Sequence, residues 1–224
     1  MSKRCLIVAG GELHWEFASC YIKTKYAPEQ PEYVIAVDGG LEAIMQLGLN
    51  PDLILGDYDS VAHNVLEKYR NLDTASILQY PSEKDYTDLH LAVEKAVEGG
   101  TTEICILGAT GRRLDHGLAN LGLLKICLDA GIPTEITDAY NRIRMIKDTM
   151  ELSKEEQYGT YVSLIPFTEQ VSGITLTGFK YPLENSTLEQ GISRGISNEI
   201  QNETARIQLT DGILLVIESK DSVK

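Results

Sequence analysis

Glu103-Ile104-Cys105-Ile106-Leu107-Gly108-Ala109-Thr110-Gly111-Arg112-Arg113-Leu114-Asp115-His116, residues 103–116, is the stretch that sets the architecture. Its first five residues are a short apolar run of the kind found in a strand buried on both faces. A polar, glycine-bearing turn follows. From His116 to Asp129 apolar residues then recur at helical spacing, and Gly131 and Pro133 stop the helix. The same strand, polar turn and helix recur upstream. Residues 5–9 run into Gly10-Gly11, and Leu13, Phe17, Cys20 and Tyr21 follow at helical spacing. Residues 33–37 end at Asp38-Gly39-Gly40, before Leu41, Ile44, Met45 and Leu47. Residues 53–55 enter through Asn50-Pro51 and precede a helix signal at Val65, Leu66 and Tyr69. Residues 76–79 precede a stronger one at Leu89, Ala92, Val93, Ala96 and Val97, which stops at Gly99-Gly100. This alternation predicts a parallel sheet with helices on both faces.

The pattern breaks near Ala139. Short apolar-rich runs separated by Gly, Pro, Asn and Ser take over, at residues 143–146, 161–165, 174–176, 192–200, 205–209 and 213–217. Such spacing predicts a small antiparallel sandwich or barrel. The expected fold class is therefore α/β over residues 1–138, followed by a small all-β sandwich over 139–224.

Composition narrows the function classes. With 20 basic and 33 acidic residues the formal net charge is −13. That excess disfavours a nucleic-acid backbone or an anionic membrane as partner. The apolar run at residues 6–9 is too short for a signal-peptide core, so a soluble, cytoplasmic protein is expected. Cys5, Cys20, Cys105 and Cys127 form no CxxC pair, and the four histidines show no HExxH spacing. Zinc is therefore unsupported, and reduced cysteines in or near the core are expected.

The acids fall in telling places. Asp38-Gly39-Gly40 follows the second strand, and Gly56-Asp57-Tyr58-Asp59-Ser60 the third. Lys84-Asp85-Tyr86-Thr87-Asp88 follows the fourth, and residues 108–116 the fifth. Open α/β sheets bind ligands at the carboxyl ends of their strands, so these groups should gather on one sheet edge. Asp57 and Asp59 point to one side of an extended chain. Asp85 and Asp88 share one face of a helix start, where Asp85 reads equally as a cap. Asp38 before two glycines reads equally as a turn. Gathered carboxylates repel and need a cation, and oxygen ligands without His or Cys favour Mg²⁺. A polyphosphate could then approach, helped by Lys84, Arg112 and Arg113 and by backbone N–H groups at Gly10-Gly11 and residues 108–111. Neither a P-loop nor a dinucleotide fingerprint occurs. Gly191-Ile192-Ser193-Arg194-Gly195 matches GxSxG, but its surroundings are β-like and no histidine follows His116, so Ser193 is rejected as a nucleophile.

Taken together, Asp38-Gly39-Gly40, the Gly-Asp-x-Asp-Ser run at 56–60, the Asp-x-Thr-Asp run at 85–88, the Gly-x-Arg-x-Asp-His run at 111–116 and the late Gly-Ile-Ser-Asn-Glu run at 195–199 resemble the thiamine pyrophosphokinase family. The resemblance implies an ATP-binding catalytic domain over 1–138 and a thiamine-binding β-sandwich over 139–224, in a homodimer. It implies transfer of pyrophosphate from ATP to the hydroxyl of thiamine. In that reading Asp57, Asp59 and Asp88 hold Mg²⁺ on the ATP phosphates, directly or through water, Arg113 binds phosphate, and Asp115 orients Arg113 or completes the metal shell. Asp38 or Asp85 accepts the hydroxyl proton. Gly39, Gly40, Lys84, Thr87, Gly108, Thr110, Arg112 and His116 surround the nucleotide, and Ser197 and Asn198 contact thiamine. Arg112 stands where the family usually carries glycine. Two rivals share these residues: a pyrophosphokinase acting on a pterin-type hydroxymethyl heterocycle, and a non-catalytic nucleotide- or thiamine-binding regulator.

Overall fold

The computed structural model of the chain describes residues 3–57, 69, 75–81, 83 and 85–222. It divides into two compact units, 1–139 and 140–224. In the first, strands β1 (Arg4–Val8), β2 (Tyr33–Val37), β3 (Leu53–Gly56), β4 (Ser76–Gln79), β5 (Glu103–Leu107) and β6 (Thr134–Thr137) pair in parallel, in the order β4-β3-β2-β1-β5-β6. Helices α1 (Trp15–Tyr26), α2 (Gly40–Gln46), α3 (Asp88–Glu98) and α4 (Leu114–Asp129) alternate with them.

The apolar runs are continuous because the central strands are covered on both faces. Leu6, Val8, Val34, Ala36, Ile54 and Leu107 face Ala18 and Ile22 of α1 and Leu41 and Ile44 of α2 in one buried cluster. The alternate residues Ile7, Ile35, Leu55 and Ile106 are equally buried. On α3, Leu89, Ala92, Val93 and Ala96 are buried, and that helix packs on β1, β2 and β3 and beside α4.

Chain order runs outward from β1 to β4, then returns to place β5 on the other side of β1. Beyond these two strands the backbones stay bonded: Gly11 N–H donates to Gly108 O (2.8 Å) and Glu12 N–H to Thr110 O (3.2 Å). A Cβ on Gly11 would stand 2.2 Å from Gly108 O and 2.5 Å from Thr110 O. Both obstacles are backbone, so no side chain can swing away. Gly11→Ala is expected to lower stability by about 1–3 kcal/mol, the usual cost of overpacking, read as a lower urea midpoint. An unchanged midpoint would mean that the two loops separate at no cost.

In the second unit, β7 (Asn141–Ile146), β13 (Leu214–Ser219) and β9 (Tyr161–Pro166) pair antiparallel in the order β7-β13-β9. A second antiparallel sheet has the order β11-β10-β12-β8, from β8 (Met150–Ser153), β10 (Gln170–Thr177), β11 (Leu183–Glu189) and β12 (Thr204–Gln208). Ile146, Val162, Leu164, Leu214 and Val216 of the first sheet meet Leu152, Ile174, Leu176, Leu188 and Ile207 of the second in one core. Two sheets sharing one apolar core make a sandwich.

Several boundaries differ from the sequence reading. The helix expected from His116 begins at Leu114, so Asp115 lies in its first turn. No strand spans 192–200: Gly191 and Ser197 take positive φ there, of 84° and 58°, and the chain turns. The strand lies at Leu183–Glu189 instead, a sheet-edge segment whose residues are mostly exposed and therefore carry no apolar run. Strand β6 also escaped periodicity, because its Glu135 is a buried charge held by Lys25 Nζ (2.7 Å) and by the Tyr21 hydroxyl. The helix expected near Val65 and Leu66 lies outside the described residues.

Candidate active site

Strand order reverses at β1, which lies between β2 and β5, and the carboxyl ends of the strands there border a crevice. A cleft of about 990 Å³ lies there, at the upper end of ligand-pocket sizes. Its wall comes from four separate segments: residues 9–12 after β1, Asp38, Gly39 and Glu42 after β2, residues 85–89 at the start of α3, and residues 108–113 after β5. His116, Gly117 and Asn120 of α4 complete it.

Asp38 occupies the turn that ends β2. Its φ is 46°, a left-handed conformation that Asp tolerates better than most residues. Its N–H donates to Leu55 O (3.0 Å) and its carbonyl accepts from Leu41 N–H (3.0 Å), so the backbone is held on both sides. A Cβ at residue 56 would lie 1.9 Å from Asp38 Oδ1. Glycine at the end of β3 is what leaves room for that carboxylate.

The start of α3 shows which residue caps it. Thr87 is the cap: its hydroxyl accepts from His90 N–H (3.2 Å). Asp85 is therefore not needed for capping and is exposed on the cleft wall. Asp88, half-buried in the first turn, lines the same wall and sits where the helix dipole favours negative charge.

At the start of α4 Arg113 and Asp115 form a two-bonded pair, Nη2 to Oδ2 at 2.6 Å and Nε to Oδ1 at 3.2 Å. The hydrogen bonds from Arg113, with one from the His116 backbone, lower the Asp115 carboxyl from 3.8 to about 2. Both side chains are largely exposed, so the pair orients more than it stabilises. Because the folded value is depressed, the pair persists above 3.8 and breaks as pH falls toward about 2. An NMR titration of Asp115 should show that low midpoint, and Arg113→Ala should move it back toward 3.8. A midpoint unmoved by that substitution would remove Arg113 as its cause. Arg112 is exposed beside this pair and lines the cleft.

Other expected residues stand as follows. Gly39 and Gly108 line the cleft, but Gly40 does not: a Cβ there would lie 1.9 Å from Val8 O, so its smallness serves packing of α2 on β1. The Thr110 hydroxyl donates to Asp138 (2.9 Å). Asp57, half-buried at the end of β3, is not among the lining residues, and Asp115 reaches the cleft only through Arg113. Asp59 and Lys84 lie outside the described residues. Sequence reasoning missed Glu12, Glu42, Tyr86 and Asn120, all of which line the cleft. Asn120 is buried and donates Nδ2–H to Ala109 O (2.7 Å), pinning the β5 loop to α4. Its signal was an amide one helical turn beyond His116, set between Ala119 and Leu121 in the apolar middle of the helix.

Among the described residues no three His, Cys, Asp or Glu groups stand close enough together to hold a metal. The cleft nonetheless carries Asp85 and Asp88 on one wall. That set suits magnesium, which takes one or two carboxylates and completes its shell with waters and phosphate oxygens.

In the second unit Ser197 adopts φ 58° and its N–H donates to Ser163 Oγ (3.0 Å). Asn198 is buried, and its amide is already engaged: Oδ1 accepts from Tyr181 N–H (3.0 Å) and Glu199 N–H (2.9 Å), while Nδ2 donates to Tyr181 O (2.8 Å). These bonds shape the turn that presents the exposed Ser197. Ser193 is exposed in the turn before it, without a following helix.

A parallel α/β unit with acids and arginines around a cleft at its strand reversal, followed by a β-sandwich unit, defines a two-part enzyme whose first part suits a phosphorylated ligand. Comparison with known proteins gives the family. Residues 24–136 match "Thiamin pyrophosphokinase, catalytic domain" and residues 147–214 match "Thiamin pyrophosphokinase, vitamin B1 binding domain". The chain is 37% identical over 188 residues to the thiamine pyrophosphokinase of Bacillus subtilis, covering 84% of this chain and 87% of the relative. Its fold superposes on a crystal structure of the B. subtilis thiamine pyrophosphokinase with TM-score 0.86, at 34% identity over 98% of this chain and 100% of that one. The Geobacillus thermodenitrificans thiamin pyrophosphokinase gives 0.83, at 33% identity over 98% of both chains. The chain belongs to the thiamine pyrophosphokinase family of enzymes.

Proposed function

We propose that this enzyme transfers pyrophosphate from ATP to the hydroxyl of thiamine, releasing AMP, with the first unit binding ATP and the second presenting thiamine contacts. The observation that carries this reading is the cleft, which collects Asp38, Asp85, Asp88, Arg112 and Arg113 from three distant loops at one strand reversal. In the reaction the thiamine oxygen bonds to the β-phosphorus and the bond from that phosphorus to the α-bridging oxygen breaks, leaving AMP. Positioning and charge stabilisation are then the main tasks of the protein. Asp88 on the cleft wall, with Asp57 and Asp59 directly or through water, would hold magnesium on the phosphates. Magnesium, when bound, offsets the polyphosphate charge and polarises the phosphoryl group under attack. Arg113, oriented by Asp115, steadies charge on the phosphates, and Arg112 adds a second cation beside it. Asp85, exposed on the wall, takes the hydroxyl proton, while Asp38 packs against Gly56. Ser197 contacts thiamine from a turn braced by Asn198.

The same reading includes a homodimer, for which exposed Tyr181, Ile192 and Ile196 offer apolar surface on the second unit. It also includes a cytoplasmic setting, supported by free cysteines of which three are buried. No described helix is long and apolar enough to cross a membrane.

The test is AMP release from ATP and Mg²⁺ with thiamine or with a pterin-type hydroxymethyl heterocycle as acceptor. Thiamine-dependent AMP is the expected result. AMP with the pterin alone would select that rival, and ATP binding without AMP would select a regulator.

A further inference from the structure

Tyr86 is 54% exposed, yet it lies on the wall of the cleft rather than on open surface. It sits between Asp85 and the capping Thr87, so its backbone is held by the start of α3. Its ring leans on His90, one turn on, with centroids 4.5 Å apart and planes at 39°. His90 Nε2 lies 3.4 Å from Glu94 Oε1, one turn further. The three side chains form a ladder from the start of α3, and the Tyr86 ring packed on His90 keeps half its surface exposed on the cleft wall. Asp85 before it and Asp88 two residues on line the same wall with carboxylates, which a bare anion would avoid, so the ring offers a binding surface for an uncharged or cationic flat group. Large exposed aromatics cost hydration, and a held ring in a cleft is how proteins bind flat heterocycles without demanding a particular hydrogen-bond pattern.

We infer that Tyr86 is a specificity-determining residue, a stacking platform for a nitrogen heteroaromatic ring of a substrate, with His90 as its positioning residue. This rests on the reading above, which supplies two such rings: the adenine of ATP and the aminopyrimidine of thiamine. The Asp85 and Asp88 carboxylates then address groups attached to whichever ring stacks.

Steady-state kinetics of Tyr86→Ala and Tyr86→Phe, after circular dichroism has shown both folded, separate the sources. Tyr86→Ala should raise the KM of one substrate by about tenfold or more and leave that of the other within twofold. Tyr86→Phe should retain the wild-type value, because the ring and not the hydroxyl does the binding. A raised KM for ATP assigns adenine, and a raised KM for thiamine assigns the aminopyrimidine. His90→Ala should move the same KM in the same direction by a smaller factor. A second measurement needs no turnover. Trp15 is the only tryptophan, so in the Trp15→Phe, Tyr86→Trp double variant indole emission reports position 86. It should change on adding an unreactive ATP analogue or thiamine, matching the substrate whose KM moved. Unchanged KM values together with unchanged emission would overturn the inference, as would Phe failing as badly as Ala. Wild-type protein that releases no AMP while the double variant still responds to one ligand would sink the pyrophosphokinase reading and keep the platform.

Discussion

Asp88→Asn is expected to cut thiamine-dependent AMP formation by about 100-fold or more, the scale of losing a metal-holding carboxylate. The substitution keeps the size of the side chain and leaves the Thr87 cap intact, so the helix start should survive. What it removes is a negative charge on the cleft wall, where the proposed reaction needs a cation drawn to the polyphosphate. Two companions make the result interpretable. Thr87→Ala should cost about 1 kcal/mol of stability through the lost cap, with a smaller effect on turnover. Asp85→Asn should instead flatten the acid limb of the pH–rate profile, because its proposed task is to accept a proton. Near-normal turnover of Asp88→Asn at saturating Mg²⁺ would remove Asp88 from the metal shell.

Glu218→Gln should destabilise the second unit by about 3 kcal/mol, with a fall in melting temperature on the order of 10 °C. Glu218 on β13 is fully buried. It accepts from Arg142 Nε and Nη2 (both 2.8 Å), from Arg144 Nη2 (2.5 Å) and from Tyr158 N–H (3.0 Å). Burial pushes its carboxyl up, but the hydrogen bonds and charge of Arg142, then Arg144, outweigh burial and hold it below the usual 4.5. Glutamine keeps the shape and removes the charge that two part-buried guanidiniums face, and stranding buried charge is the costly event. The sign in pH follows. With the folded value depressed, this stabilisation is complete above 4.5 and is lost as pH falls through the lower folded value. Thermal melts of wild type and variant should therefore converge in acid. A constant difference down to that range would mean that packing, not charge, sets the effect.

Much of the site was legible because polar groups that follow apolar runs mark strand ends. Asp38, Asp85, Asp88 and Arg113 were found that way, and all line one cleft. Gly40 and Asn198 show where the same reasoning stops. Both belong to recognisable motifs, and the structure adds what the motif does not state: Gly40 is small enough to let α2 approach Val8, and the Asn198 amide bonds the Tyr181 backbone. A motif states which residue is required, not which neighbour requires it. Tyr86 carried no signal at all, since an aromatic beside two acids reads as an ordinary loop residue until its ring is seen against His90.

By itself the sequence determined the alternation of strands and helices, the change to antiparallel strands near Ala139 and the acidic character of the strand ends, because period, turn residues and charge are local properties of the chain. Only the tertiary structure decided that β5 returns beside β1, and hence that loops about seventy residues apart share a wall with Asp38 while Asp57 stays off it. Strand order is set by which apolar faces bury each other, a contest among distant segments that local pattern does not record.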